Sequence, residues 1–78
     1  MTQEQWARIS SDPNVLHGQA VLSGTRIPVS VVLDCLATGM TVEQIVTEYP
    51  ALDSTAVLAA IAYAAQLARE ELIPLAPR

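Results

Sequence analysis

Few residues in this chain could do chemistry, and their spacing does not bring them together. His17 is the single histidine and Cys35 the single cysteine. Metal ligation or acid–base catalysis needs several such groups converging on one point, and neither has a partner nearby in sequence. His17 stands beside Gly18 in an expected turn, which reads as a surface imidazole. Cys35 lies in an apolar run and reads as a core thiol; one cysteine cannot form an internal disulfide, which fits a reducing compartment. The carboxylates fall at helix starts and outer faces, where the helix dipole and solubility account for them. Gly18, Gly24 and Gly39 match no phosphate-binding loop. No catalytic residue, metal site or cofactor is therefore expected, and the chain reads as a binding protein, not an enzyme.

Arg26 is the sharpest single residue. Gly24, Thr25 and Pro28 pin its backbone, so its guanidinium is aimed. One use is an ion pair to a carboxylate such as Asp12, tying the turn to the following helix. The other is a contact to phosphate or carboxylate on a partner. The overall charge bears on that second use. Four arginines (Arg8, Arg26, Arg69, Arg78) and no lysine face eight acidic residues, for a net charge of -4. Proteins that bind nucleic acid unaided draw most of their affinity from phosphate neutralisation. This balance counts against tight autonomous DNA binding and favours a basic protein partner.

The elements that must position these residues are legible from punctuation and period. Ile9-Ser10-Ser11 is an extended candidate stopped by the turn-forming pair Asp12-Pro13. Val15-Leu16-His17 and Ala20-Val21-Leu22 flank Gly18-Gln19 and read as a hairpin. Pro28 suits the first turn of a helix. Val29, Val32, Leu33 and Leu36 follow it on one face, and Gly39 closes it. Thr41 and Gln44 form a capping box, with Met40 and Ile45 as its hydrophobic staple, and Pro50 ends that second helix. Asp53 caps a third helix, about residues 54–72, with Leu52 and Val57 in staple positions. The expectation is one domain over 1–78: hairpin 9–27, helical core 28–72 and an extended tail 73–78. Its class is mainly α, a short N-terminal β-hairpin followed by a three-helix, helix-turn-helix-like unit.

The third helix is apolar on more than one face. Val57, Ile61, Ala65 and Leu72 form one stripe, expected to face the core. Ala56, Ala60, Ala64 and Ala68 recur every fourth residue as a ridge that permits close packing of a second helix. A helix apolar on two sides must be covered on two sides. The chain is therefore expected to form a homodimer through Ala56, Ala60, Tyr63, Ala64 and Leu67. As a helix-turn-helix reader it would touch DNA with Ser54 and Thr55 at the start of this helix, supported by Arg26. Asp53 would repel phosphate there, and no Arg, Lys, Asn or Gln occurs from Ser54 until Gln66. The longest apolar run, Ala56 to Ala65, is shorter than the roughly 20 residues that span a bilayer. No secretory signal opens the chain, so a cytoplasmic location is expected.

The string Asp12-Pro13-Asn14-Val15, then Gly18, then Val21-Leu22-Ser23-Gly24-Thr25-Arg26-Ile27-Pro28-Val29 resembles the DUF433 family. The match continues through Leu36-Ala37-Thr38-Gly39-Met40-Thr41, Glu43-Gln44-Ile45 and Glu48-Tyr49-Pro50-Ala51-Leu52, and ends at Ala59 to Ala65. The resemblance implies a small prokaryotic helix-turn-helix protein that acts as an antitoxin against a PIN-like ribonuclease toxin. Such a toxin cuts RNA with metal ions held by carboxylates. It could be blocked sterically or by an arginine presented to those carboxylates, for which Arg69 and Arg78 are the candidates. A DNA-binding autorepressor is the alternative. The chain departs from the family pattern at Gln19-Ala20, where Lys-Pro is common, and so lacks a positive charge beside the hairpin.

Overall fold

The structure is a computed structural model that describes residues 1–70. In chain order it contains α1 (Gln3–Ala7), β1 (Ile9–Ser10), a 3-10 turn (Leu16–Gly18), β2 (Val21–Leu22), α2 (Val29–Ala37), α3 (Val42–Glu48) and α4 (Ser54–Glu70). The mainly α architecture with an N-terminal antiparallel strand pair is the one expected. Helix α1 is not. It begins with a full capping box, the Thr2 side chain accepting from the Gln5 N–H at 3.1 Å and the Gln5 side chain accepting from the Thr2 N–H at 3.0 Å.

The strands pair in a different place from the one the turn residues indicated. Ile9 is opposite Leu22 and Ser10 opposite Val21. The stretch 15–17 is no strand: Leu16 and His17 are left-handed, with φ of 49° and 56°, and Gly18 follows at 82°. An L-residue costs about 1–2 kcal/mol in that region. Local hydrogen bonds hold the turn. The Asn14 N–H donates to Asp12 Oδ1 at 2.8 Å, and the Ser11 hydroxyl donates to the Gly18 carbonyl at 2.6 Å.

Strand β2 is bonded on both sides. Opposite β1, the chain entering α2 returns along it, with Leu22 N–H donating to the Ile27 carbonyl at 3.0 Å and Val29 N–H to the Ala20 carbonyl at 3.0 Å. Gly24 makes that return with φ 80°. Thr25 Oγ1 locks it, donating to the Leu22 carbonyl at 2.7 Å and accepting from Ile27 N–H at 3.0 Å. Pro28 then caps α2 from an extended conformation, one position before the first turn. Gly39 at φ 96° releases the chain from α2, and the Thr41–Gln44 capping box starts α3 as read from the sequence.

The core is formed by Leu22, Val29, Val32, Ile45, Leu52, Ala56, Val57 and Ala60, all buried. Helix α4 therefore turns its alanine ridge inward. Ala60 is 0% exposed, whereas Ile61, expected on the inner stripe, is 40% exposed. Small side chains at positions 56 and 60 let the strands and the other helices close on α4; a branched chain there would hold them apart. Among the described residues no helix is long and apolar enough to cross a membrane.

Candidate partner-binding groove

Where α4 runs past the start of α2 the alanine ridge goes uncovered, and a groove of about 320 Å³ opens. Ala20, Val29, Leu33, Tyr63, Ala64 and Leu67 line it, with Gln19 and Ser30 at its polar margin. The hydrogen bond from Val29 N–H to the Ala20 carbonyl fixes one wall, since it ties the start of α2 to the end of the turn. The Tyr63 ring is steadied by Trp6, which meets it edge-to-face at 6.3 Å and 86°. Such pairs add about 0.5–1.5 kcal/mol beyond their burial. A concave apolar site of this size with a few polar groups at its edge takes an apolar anchor. A second, shallower hollow on α3 is lined by Met40, Glu43, Gln44, Thr47 and Glu48. It is acidic.

Three of the residues assigned to a dimer seam, Tyr63, Ala64 and Leu67, come together in this groove. The other two do not belong to any seam. Ala56 and Ala60 fill their own chain's core, at 5% and 0% exposure, and have no surface left for a second molecule. Helical periodicity located the ridge correctly but could not say which side of α4 the core would take.

The residues assigned to nucleic acid lie on two elements, the turn before α2 and the start of α4. Arg26 is exposed on the turn before α2 and makes no ion pair among the described residues, so the expected bridge to Asp12 is not formed. Ser54 is exposed and Thr55 half-buried at the start of α4. Arg69 is exposed in the last turn of that helix, while Arg78 and the tail lie outside the described residues. His17 is exposed, and Cys35 is half-buried against the core. The neighbouring Cys35 thiol is the main cause of a raised pKa at the Tyr49 hydroxyl.

One constellation was missed in the sequence. Arg8 Nη1 donates to both Asp53 oxygens, at 2.9 and 3.0 Å, across 45 positions of chain. Asp53 Oδ1 also accepts from the Ala56 N–H at 2.8 Å, the capping bond expected of it. That backbone N–H first, and Arg8 second, hold the Asp53 carboxyl below its ordinary pKa. The start of α4 thus already carries its own bound anion. Nothing in sequence spacing could pair Arg8 with Asp53, because the contact depends on α1 lying across α4.

Residues 9–64, from β1 to Ala64 of α4, match the family described as "Protein of unknown function (DUF433)". The chain belongs to the DUF433 family. It is 38% identical over 56 residues to the uncharacterized protein y4eO of Sinorhizobium fredii, a match covering 72% of this chain and 25% of that protein. The match thus spans about a quarter of that relative's length. The crystal structure of a DUF433 member from Anabaena variabilis is similar with a TM-score of 0.75 and 29% identity, over 87% of this chain and 67% of that one. Helix α1 precedes the family span, so the Trp6 and Arg8 contacts to α4 come from residues outside it.

Proposed function

We propose that this DUF433 protein is an antitoxin-like binding module that seats an apolar segment of a PIN-like ribonuclease toxin in the α2–α4 groove and blocks it. The observation that carries this reading is the groove itself, apolar within and polar at its margin, beside an acidic hollow on α3. A net charge of -4 suits a basic partner, which RNA-cleaving proteins often are. Arg69 stands exposed at the end of the same helix and supplies a guanidinium for the toxin's metal-binding carboxylates. Arg78 offers a second one further along the chain. Such a partner works on cellular RNA, which places the protein in the cytoplasm.

The DNA-reading alternative is weakened at the start of α4. A helix N-terminus attracts phosphate through its free N–H groups and dipole, but here the ionised Asp53 carboxylate takes the Ala56 N–H and Arg8 as well. Ser54 and Thr55 would meet DNA beside that negative charge.

The test is co-expression with a small nuclease encoded beside this gene, followed by co-purification and growth rescue. Leu67→Glu puts a charge in the groove from an exposed position, and Ser30→Arg fills its mouth. Both variants should keep the parent's thermal melt and lose rescue and co-purification together. Full rescue by both would remove the groove from the inhibitory surface.

A further inference from the structure

We propose that the α2–α4 groove is the seat of this chain's own segment Leu72-Ile73-Pro74-Leu75-Ala76-Pro77, which an incoming partner must displace. The segment lies outside the described residues, and its chemistry and point of attachment carry the argument. It holds no charged residue, and Glu71 and Arg78 flank it. Pro74 and Pro77 bar a helix and stand three apart. That is the spacing of the PxxP segments that dock as polyproline II on aromatic-lined grooves. Three residues per turn set both prolines on one edge, and the conformation leaves its backbone carbonyls free. The groove answers each of these features. Tyr63 gives it an aromatic wall, and Ala20, Val29, Leu33 and Leu67 an apolar lining. The side chains of Gln19, Ser30 and Tyr63 border it too, and none of the three makes a hydrogen bond to another described residue. They are donors for the carbonyls of an extended segment.

Attachment makes this segment the occupant at hand. Leu67, in the groove, lies within one turn of Glu70, which closes α4. Tyr63 is one further turn back, about 10 Å from Glu70 along the helix at 1.5 Å per residue. Residues 71–77 reach about 20 Å as polyproline II, enough to turn back and cover that length. A short tether holds a segment at about millimolar effective concentration. A contact too weak to form between molecules is therefore made within one. The occupancy stands without the toxin, while its consequence rests on the proposed function. A toxin segment that takes the groove releases this one and with it Arg78, the guanidinium offered to the nuclease carboxylates.

Amide NMR spectra of the full chain read the occupancy. Ile73→Glu/Leu75→Glu charges the segment and leaves the core residues in place. In it the amides of Gln19, Ser30, Tyr63 and Leu67 should shift, and those of the core residues Ile45 and Leu52 should not. A synthetic peptide of residues 71–78 should return the groove amides to their parent positions, half-saturating below about 1 mM. The same peptide should leave the parent spectrum unchanged, and adding Leu67→Glu to the variant should abolish the return. Groove amides that coincide in parent and variant would overturn the proposal. So would a peptide that fails to bind the variant or shifts parent and variant alike. Parent positions that move with protein concentration would place the segment on a second copy and overturn it as well. No nuclease enters these measurements, so their failure is separate from a failure of co-purification and rescue.

Discussion

Ala60→Leu tests which side of α4 the core has taken. Ala60 has no exposed surface and belongs to the same buried cluster as Leu22, Val32 and Ile45. Ala60 does not line the groove, so the extra three carbons of leucine press on the packed cluster, and the strands and helices must move off α4 or the side chain must leave its rotamer. Overpacking of this kind costs about 1–3 kcal/mol. For a domain of this length each kcal/mol shifts the melting temperature by about 4–8 °C, so a fall of about 5–20 °C is expected. Circular dichroism melts at several protein concentrations provide the assay. Because the strain lies within one chain, the fall should be the same at every concentration; a lost subunit contact would instead weaken stability in a concentration-dependent way. Ala60→Leu melting like the parent at a concentration where the protein is monomeric would refute the inward placement of the ridge.

Gly39→Ala meets no atom within 4 Å, but the backbone stands at φ 96°, so the cost is conformational alone. It should lower stability by about 1 kcal/mol in a denaturant titration. Asp53 gives a pH dependence whose sign follows from its lowered folded-state pKa. Its ionised form contributes stability above the unfolded pKa, near the ordinary 3.8, and that contribution disappears as pH falls through the lower folded value. The melting advantage of the parent over Asp53→Asn should therefore be constant at neutral pH and vanish in strong acid. An advantage that persists there would show that the ion pair and cap were not its source. In a gel-shift titration, the isolated protein should need micromolar concentrations to retard its own promoter and should release it at modest salt. Tight, sequence-specific binding without a partner would favour the repressor reading instead.

What was legible in the sequence is what local chemistry decides. The Thr41–Gln44 capping box, the Asp53 cap, Gly39 after α2 and the turn at Asp12-Pro13 all act within four residues of themselves, and all stand where they were read. The strand pairing was misplaced because Gly18-Gln19 looks like a two-residue hairpin turn. Instead Leu16, His17 and Gly18 coil left-handed, and pairing waits for Ile9 and Leu22. Helix α1 carries the same capping grammar at Thr2 and Gln5 as α3 does at Thr41 and Gln44. That signal was present in the sequence and went unread because the segment is short and polar. Long-range features were hidden for a different reason. Neither the Arg8–Asp53 pair nor the Trp6–Tyr63 contact has any local trace, since both arise only after α1 has docked on α4.

The two-faced composition of α4 was also visible, but its assignment required the fold. Alanines at every fourth position permit close approach without saying what approaches. Burial shows that the approach comes from within, by β2, α2 and α3 through Leu22, Val32 and Ile45. That leaves Leu58 and Ile61 facing outward, at 51% and 40% exposure. The groove opens from the inner side, where the ridge outruns the elements that cover it at Ala64 and Leu67. One helix therefore presents two separate apolar surfaces, a concave one and a flat one, half a turn apart.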